Sequence, residues 1–159
     1  MKVCFIPPTF PYMNCGVGDY TYEYAKSLLK HNVEISVITS NHEKIKQFKK
    51  DCPTEFLLFP IITRWDFRNI IVILKKIKGS KPDIIHIQYH WRAYNDGFVL
   101  KGLMIVLLPL ILKILRVKIP VVTTLHSRMH GPYLFPKAGV LRHWALLPLL
   151  LFSDRIVVT

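Results

Sequence analysis

The sequence predicts an α/β domain: a doubly wound, Rossmann-like parallel sheet of about six strands with helices on both faces. Three observations predict it. Short β-rich runs alternate with helix-like segments along the chain, which is the pattern of a parallel sheet joined by crossover helices. Runs such as Ile84-Ile85-His86-Ile87 and Val121-Val122-Thr123-Thr124 suit strands buried on both sides. The 159 residues suffice for one domain with a sizeable core and are too few for two.

The first strand is expected over Lys2–Ile6, where Pro7 and Pro8 interrupt the apolar run. From Val17 to His31, the residues Val17, Tyr20, Tyr24, Ala25, Leu28 and Leu29 recur at helical spacing, with Asp19, Glu23, Lys26 and Lys30 turned elsewhere. Strands are expected over Val33–Thr39 and Glu55–Phe59. Asp66–Lys78 reads as the second helix, with Asp66 as its N-cap and Gly79 as its stop. Asp83–Gln88 is the fourth strand, roughly Gly97–Arg116 the third helix, Pro120–Thr124 the fifth strand, Gly139–Phe152 the fourth helix and Arg155–Val158 the sixth strand. The last two helices are apolar almost all round, so each is expected between the sheet and another apolar surface. Right-handed crossovers give the strand order 3-2-1-4-5-6. Sheets of this kind bind ligands at the carboxyl ends of their strands beside the reversal of order, here between the first and fourth strands. The segments after Ile6, Gln88 and Thr124 are therefore the places to look.

With 51% apolar and 20% charged residues, the composition fits neither a disordered nor a fibrous chain. Lys plus Arg number 22 against 10 Asp plus Glu, a formal charge of +12, which points to an anionic neighbour. Basic clusters lie at Lys44–Lys50 and Lys75–Lys81 with no helix-turn-helix, RNP or zinc-finger pattern, so nucleic acid is not an expected partner. Basic charge beside apolar helices suits an anionic membrane surface better, and a solvated basic face is the plainer alternative. The uncharged stretches Gly102–Leu112 and His143–Ser153 are 11 residues each, where a spanning helix needs about 20, and each contains a proline. Cys4, Cys15 and Cys52 form no CxxC pair and read as reduced thiols; the N-terminus has no secretory pattern. Together these imply a cytoplasmic protein, peripheral on the inner face of the membrane.

Gly16 and Gly18 precede the first helix, so backbone amides at its positive end are placed to approach an oxygen-rich ligand. A long turn in which glycine only satisfies backbone geometry is the alternative. This is no dinucleotide fingerprint, because the third glycine position falls on Thr21, and no P-loop sequence occurs. His86/His90 and His126/His130 share i, i+4 spacing. Four residues along a strand span about 13 Å, too far for one ion, and the second pair has no acidic ligand near it in sequence, so no metal is expected. His126 follows the fifth strand, where an imidazole can bond a hydroxyl or exchange its proton; a capping or core histidine is the other reading. Gln88 and Tyr89, with His90 and Trp91, end the fourth strand and offer stacking surface plus polar groups that a sugar would use, or else pack under a loop.

Five segments in this order resemble the N-terminal half of family 4 glycosyltransferases of the GT-B fold. They are Gly16-Val17-Gly18-Asp19-Tyr20-Thr21-Tyr22-Glu23-Tyr24-Ala25-Lys26-Ser27-Leu28, Val33-Glu34-Ile35-Ser36-Val37-Ile38-Thr39, Pro82-Asp83-Ile84-Ile85-His86-Ile87-Gln88-Tyr89-His90, Pro120-Val121-Val122-Thr123-Thr124-Leu125-His126 and Ser153-Asp154-Arg155-Ile156-Val157-Val158-Thr159. The resemblance implies transfer of a sugar from a nucleotide-sugar donor to a lipid-linked, cell-envelope or other glycan acceptor, with retention and without a metal or other cofactor. It places Gly16 and Val17 near the reacting sugar or donor phosphate, with Asp19 and Tyr20 on the same stretch, and His126 at the reaction centre. Two departures stand out. Cys15-Gly16 replaces the family's paired glycine, and Cys15 reaches positive φ less cheaply than glycine. The E-x7-E motif and diphosphate-gripping basic residues of the donor domain have no counterpart. Residues 1–159 are thus expected to be the acceptor-side domain alone, inactive without its C-terminal donor-binding partner: a fragment, an incomplete reading frame or one part of a split enzyme. A non-catalytic, membrane-peripheral scaffold subunit is the alternative.

Overall fold

A computed structural model describes residues 1–11, 13, 15–51, 54–90, 93–94, 102–126 and 139–159. Six strands, β1 (Lys2–Ile6), β2 (Glu34–Ser40), β3 (Phe56–Ile62), β4 (Ile84–Tyr89), β5 (Val121–Leu125) and β6 (Arg155–Val158), form one parallel sheet. Its order is β3-β2-β1-β4-β5-β6, so the reversal lies between β1 and β4 as the sequence predicts. The helices are α1 (Gly16–Leu29), α2 (Glu43–Asp51), α3 (Ile70–Ser80), α4 (Leu103–Ile114) and α5 (Gly139–Phe152).

Strand alternation divides the core in two. Val3 and Phe5 of β1 join Ile35 and Val37 of β2, Ala25 of α1, and Ile45 and Phe48 of α2 on one face. Cys4 and Ile6 join Ile85 and Ile87 of β4, Ile73 and Ile77 of α3, Met104 and Leu108 of α4, and Leu149 of α5 on the other. Burial in this second face pushes the Cys4 thiol up to about 11, so it stays protonated at neutral pH. Cys4 and Cys15 are both free thiols.

Four details differ from the sequence-based expectation. The basic cluster after β2 is helical: Ile45 and Phe48, three residues apart, bury toward the first core face, and Phe48 meets Phe10 and Tyr22 edge-on. Two apolar residues among lysines are too few to show a helix by periodicity alone. β3 runs on through Pro60 to Ile62, which the sheet's outermost strand tolerates because its free side needs no amide. Asp66 does cap, but it opens a single 3-10 turn, Phe67–Asn69, before α3, accepting the Arg68 amide at 3.1 Å. Gly79 lies within α3, and the left-handed residue that ends the helix is Lys81, at φ 46°. Arg116, just past α4, is left-handed as well, at φ 54°. The described part of the third predicted helix starts at Leu103, and residues 97–101 lie outside the described residues, as do Cys52, Trp91 and His130. Among the described residues, no helix is long and apolar enough to cross a membrane.

Candidate functional site

The carboxyl ends of β4 and β5 and the start of α1 converge at the reversal of strand order. Alternation along β4 turns His86 and Gln88 toward α1, and Ile85, Ile87 and Tyr89 toward α3 and α4. His126 is the first residue past β5. Its amide donates to the Tyr89 carbonyl at 2.9 Å, adding one rung beyond the β4–β5 ladder and anchoring the backbone beneath the ring. Its Nε2 lies 2.6 Å from Oε1 of Gln88, a residue with no exposed surface. Nδ1 lies 3.3 Å from the Thr159 hydroxyl, and the edge of the Tyr20 ring closes the third side, with centroids 4.8 Å apart.

Desolvation, helped by repulsion from His90, lowers the His126 pKa to about 4. At neutral pH the ring is uncharged. Donating its Nε2 proton to the Gln88 carbonyl oxygen leaves a lone pair on Nδ1, aimed toward the Thr159 hydroxyl. A base this weak takes up little of a proton at neutral pH, whereas a fixed acceptor orients a hydroxyl well. On the inner side of Gln88, its Nε2 has no hydrogen-bond partner among the described residues.

One layer deeper, His86 stacks on Phe5 with centroids 5.0 Å apart, meets Tyr24 edge-on and bonds the Thr124 hydroxyl at 2.8 Å. Burial first, and the neighbouring His126 second, lower its pKa to about 4. The folded state therefore resists a proton that the unfolded chain accepts near pH 6.5. Stability is whole above that value and falls as pH drops from about 6.5 toward 4. At about 1.4 kcal/mol per pKa unit, His86 alone removes on the order of 2 kcal/mol between pH 7 and pH 5. Urea melts should show this loss together with a comparable one from His126, whose pKa is lowered to the same value, and His86→Gln, which does not titrate, should remove about half of the combined slope.

The glycine segment divides its labour differently from the sequence reading. Cys15 is extended, at φ −136°, so its place before Gly16 requires no positive φ. Gly16 opens α1 in open space: a Cβ there would meet nothing within 4 Å. Gly18 is the constrained position, because a Cβ would lie 3.1 Å from the Phe10 carbonyl carbon and from Thr9 Oγ1. That close approach clamps α1 onto the loop leaving β1. Gly16→Ala is expected to leave the melting temperature unchanged or slightly raised, and Gly18→Val to destabilise by about 1–3 kcal/mol through overpacking; thermal denaturation of both checks the contrast.

Val17 is buried, Asp19 is exposed in the first turn of α1, and Tyr20 is 40% exposed one turn beyond Gly16. Tyr20 and Tyr24 were expected in the apolar stripe, yet both stand at the edge beside the two histidines. Thr21 is buried in their stead, its hydroxyl satisfied by the Val17 carbonyl at 2.6 Å.

A family model, Glycosyltransferase Family 4, matches residues 15–159. The chain belongs to glycosyltransferase family 4. No curated protein matches it. Of the residues expected at its site, this family 4 domain brings Tyr20, Gln88 and His126 into contact, and puts Gly16, Val17 and Asp19 within the turn of α1 preceding Tyr20. Tyr89 separates from them: its ring is 4% exposed on the far face, stacked on Tyr94, and only its carbonyl meets His126. Residues 127–130, which continue from His126, lie outside the described residues.

Sequence reasoning missed two parts. As a candidate for chemistry His86 entered it only as half of a rejected metal pair, although its i, i+2 relation to Gln88 puts both on one strand face. Tyr94 went unnoticed. Its hydroxyl lies within hydrogen-bond reach of the Ile6 carbonyl at 2.7 Å and the Gln88 carbonyl at 3.1 Å, tying together the ends of β1 and β4 where the order reverses.

Proposed function

We propose that this family 4 domain forms the acceptor side of a retaining transferase that moves a sugar from a nucleotide-sugar donor to a lipid-linked, cell-envelope or other glycan acceptor. A second, donor-binding domain completes the cleft. In the step itself, the acceptor oxygen bonds to the anomeric carbon as the bond to the diphosphate breaks. The hydroxyl proton leaves with the departing phosphate, because His126 is too weak a base to hold it. His126 instead fixes a sugar hydroxyl by accepting its hydrogen bond at Nδ1, in place of the long 3.3 Å contact with the Thr159 hydroxyl. Tyr20 and Gln88 hold the ring in place, while the amides opening α1, at Gly16 and Val17, face the donor phosphate or reacting sugar. The observation that carries this reading is the Tyr20–His126–Gln88 cluster at the carboxyl edge, one helical turn from the first amides of α1.

Nucleotide-sugar titration of the chain, alone and mixed with a donor domain of a family 4 enzyme, tests it. Transfer of labelled sugar only in the mixture supports the reading. A mixture that turns over equally well with His126→Ala favours a scaffold that contributes no chemistry.

A further inference from the structure

The sheet edge opposite His126 carries a feature that sugar transfer does not use. β4 and β5 begin there, and the C-termini of α3 and α4 end beside them. Between lies an open hollow of about 630 Å3, walled by Leu74 and Ile77 of α3, Leu112 of α4, and Val117 and Ile119 beyond it, with the exposed Lys78 and Lys81 among its lining residues. A second hollow shares Val117 and Ile119 and adds Lys113, Arg116 and Lys118. The carboxylate lining it, Asp154, is already held by Lys113 at 2.7 Å and by the Val121 amide at 2.8 Å. Ile114 and Leu115 stand 68% and 54% exposed between Lys113 and Arg116.

The backbone adds a separate observation. Lys81 and Arg116 both occupy left-handed positions just past a helix end, where glycine is the unstrained choice. Long cations stand where the main chain would be more relaxed without them.

We propose that this edge docks on a membrane surface rich in acidic phospholipid, with Ile114 and Leu115 entering the headgroup layer and an acyl chain lodging in the hollow. Charge complementarity selects the anionic partner: Lys78, Lys81, Arg116 and Lys118 line the two hollows, against Asp154, already bonded to Lys113, and Asp83 just beyond Lys81, whose carboxylate accepts the Lys2 amide at 2.7 Å. The exposed apolar pair between cations, and an apolar hollow of ligand-binding size, select an amphiphile over a purely polar polyanion. This assignment does not depend on sugar transfer, since it is read without turnover.

Flotation of the chain with vesicles of phosphatidylcholine, alone or with about one third phosphatidylserine, tests it. Binding should require the acidic lipid and weaken with salt. Lys81→Gly with Arg116→Gly should lower affinity about 25-fold, near fivefold for each cation, while the melting temperature stays at or above the parent's, which separates lost binding from lost folding. Leu115→Ser, at an exposed position, should lower it about tenfold at high and low salt alike. Equal binding to both vesicle types, parent-like affinity in the double glycine variant, no flotation at all, or uptake of dispersed fatty acid without vesicle binding would each overturn the proposal.

Discussion

Replacing His126 by alanine is expected to slow sugar transfer about 10²- to 10³-fold in the chain completed by a donor domain, with the loss mainly in kcat. The proposed role predicts this size. An uncharged imidazole that orients a hydroxyl contributes through a fixed hydrogen bond, and its removal leaves the rest of the cleft intact. His126→Asn, which retains a hydrogen-bonding group, should recover part of the rate. The profile between pH 6 and pH 8 should show no inflection from this residue, because its pKa lies at about 4, well below the window. An ascending limb near pH 6.5 that vanishes in His126→Ala would assign it the different role of general base. Gln88→Leu should act in the same direction but less, since it frees the ring without removing it.

Tyr94→Ala is expected to destabilise the domain by about 3–5 kcal/mol, and Tyr94→Phe by about 1–3 kcal/mol. The ring packs edge-on against Trp65 with centroids 4.7 Å apart and stacks on Tyr89, and the residue is 2% exposed. Its hydroxyl binds the ends of β1 and β4 together, so the phenylalanine variant separates the worth of that bond from the worth of the packed ring. Equilibrium unfolding in urea measures both. Because the Gln88 carbonyl is one of the bonded groups and the Gln88 side chain holds His126, the phenylalanine variant should also lose several-fold in transfer under conditions where it is fully folded.

The sheet was legible in the sequence because β1, β2, β4 and β5 are short β-rich runs buried along most of their length, and the reversal of order follows from crossover handedness. Helix ends were less legible. Lys81 ends α3 in a backbone state that composition assigns to Gly79, so the nearby glycine misled: the stop falls directly before Pro82, which cannot continue the helix. α2 was hidden because its buried side consists of Ile45 and Phe48 alone among the residues described there. At the site, His126 and Gln88 were legible from their place at strand ends. Tyr89 was grouped with them by adjacency, although neighbouring strand residues point to opposite faces. Gly18 shows a further limit: the reason it must be glycine is the Thr9–Phe10 backbone folded against it, and no local pattern encodes that contact.

β4 and β5 join the two ends of the molecule, cationic at their beginnings and polar at their finish. Five or six residues at about 3.3 Å each make a rod of roughly 16–20 Å. A domain resting on lipid by its lysine-bearing end would carry His126 at that height above the bilayer, facing away from it. The sheet then works as a ruler: an acceptor tethered in the membrane qualifies only if its stalk is long enough to reach the top.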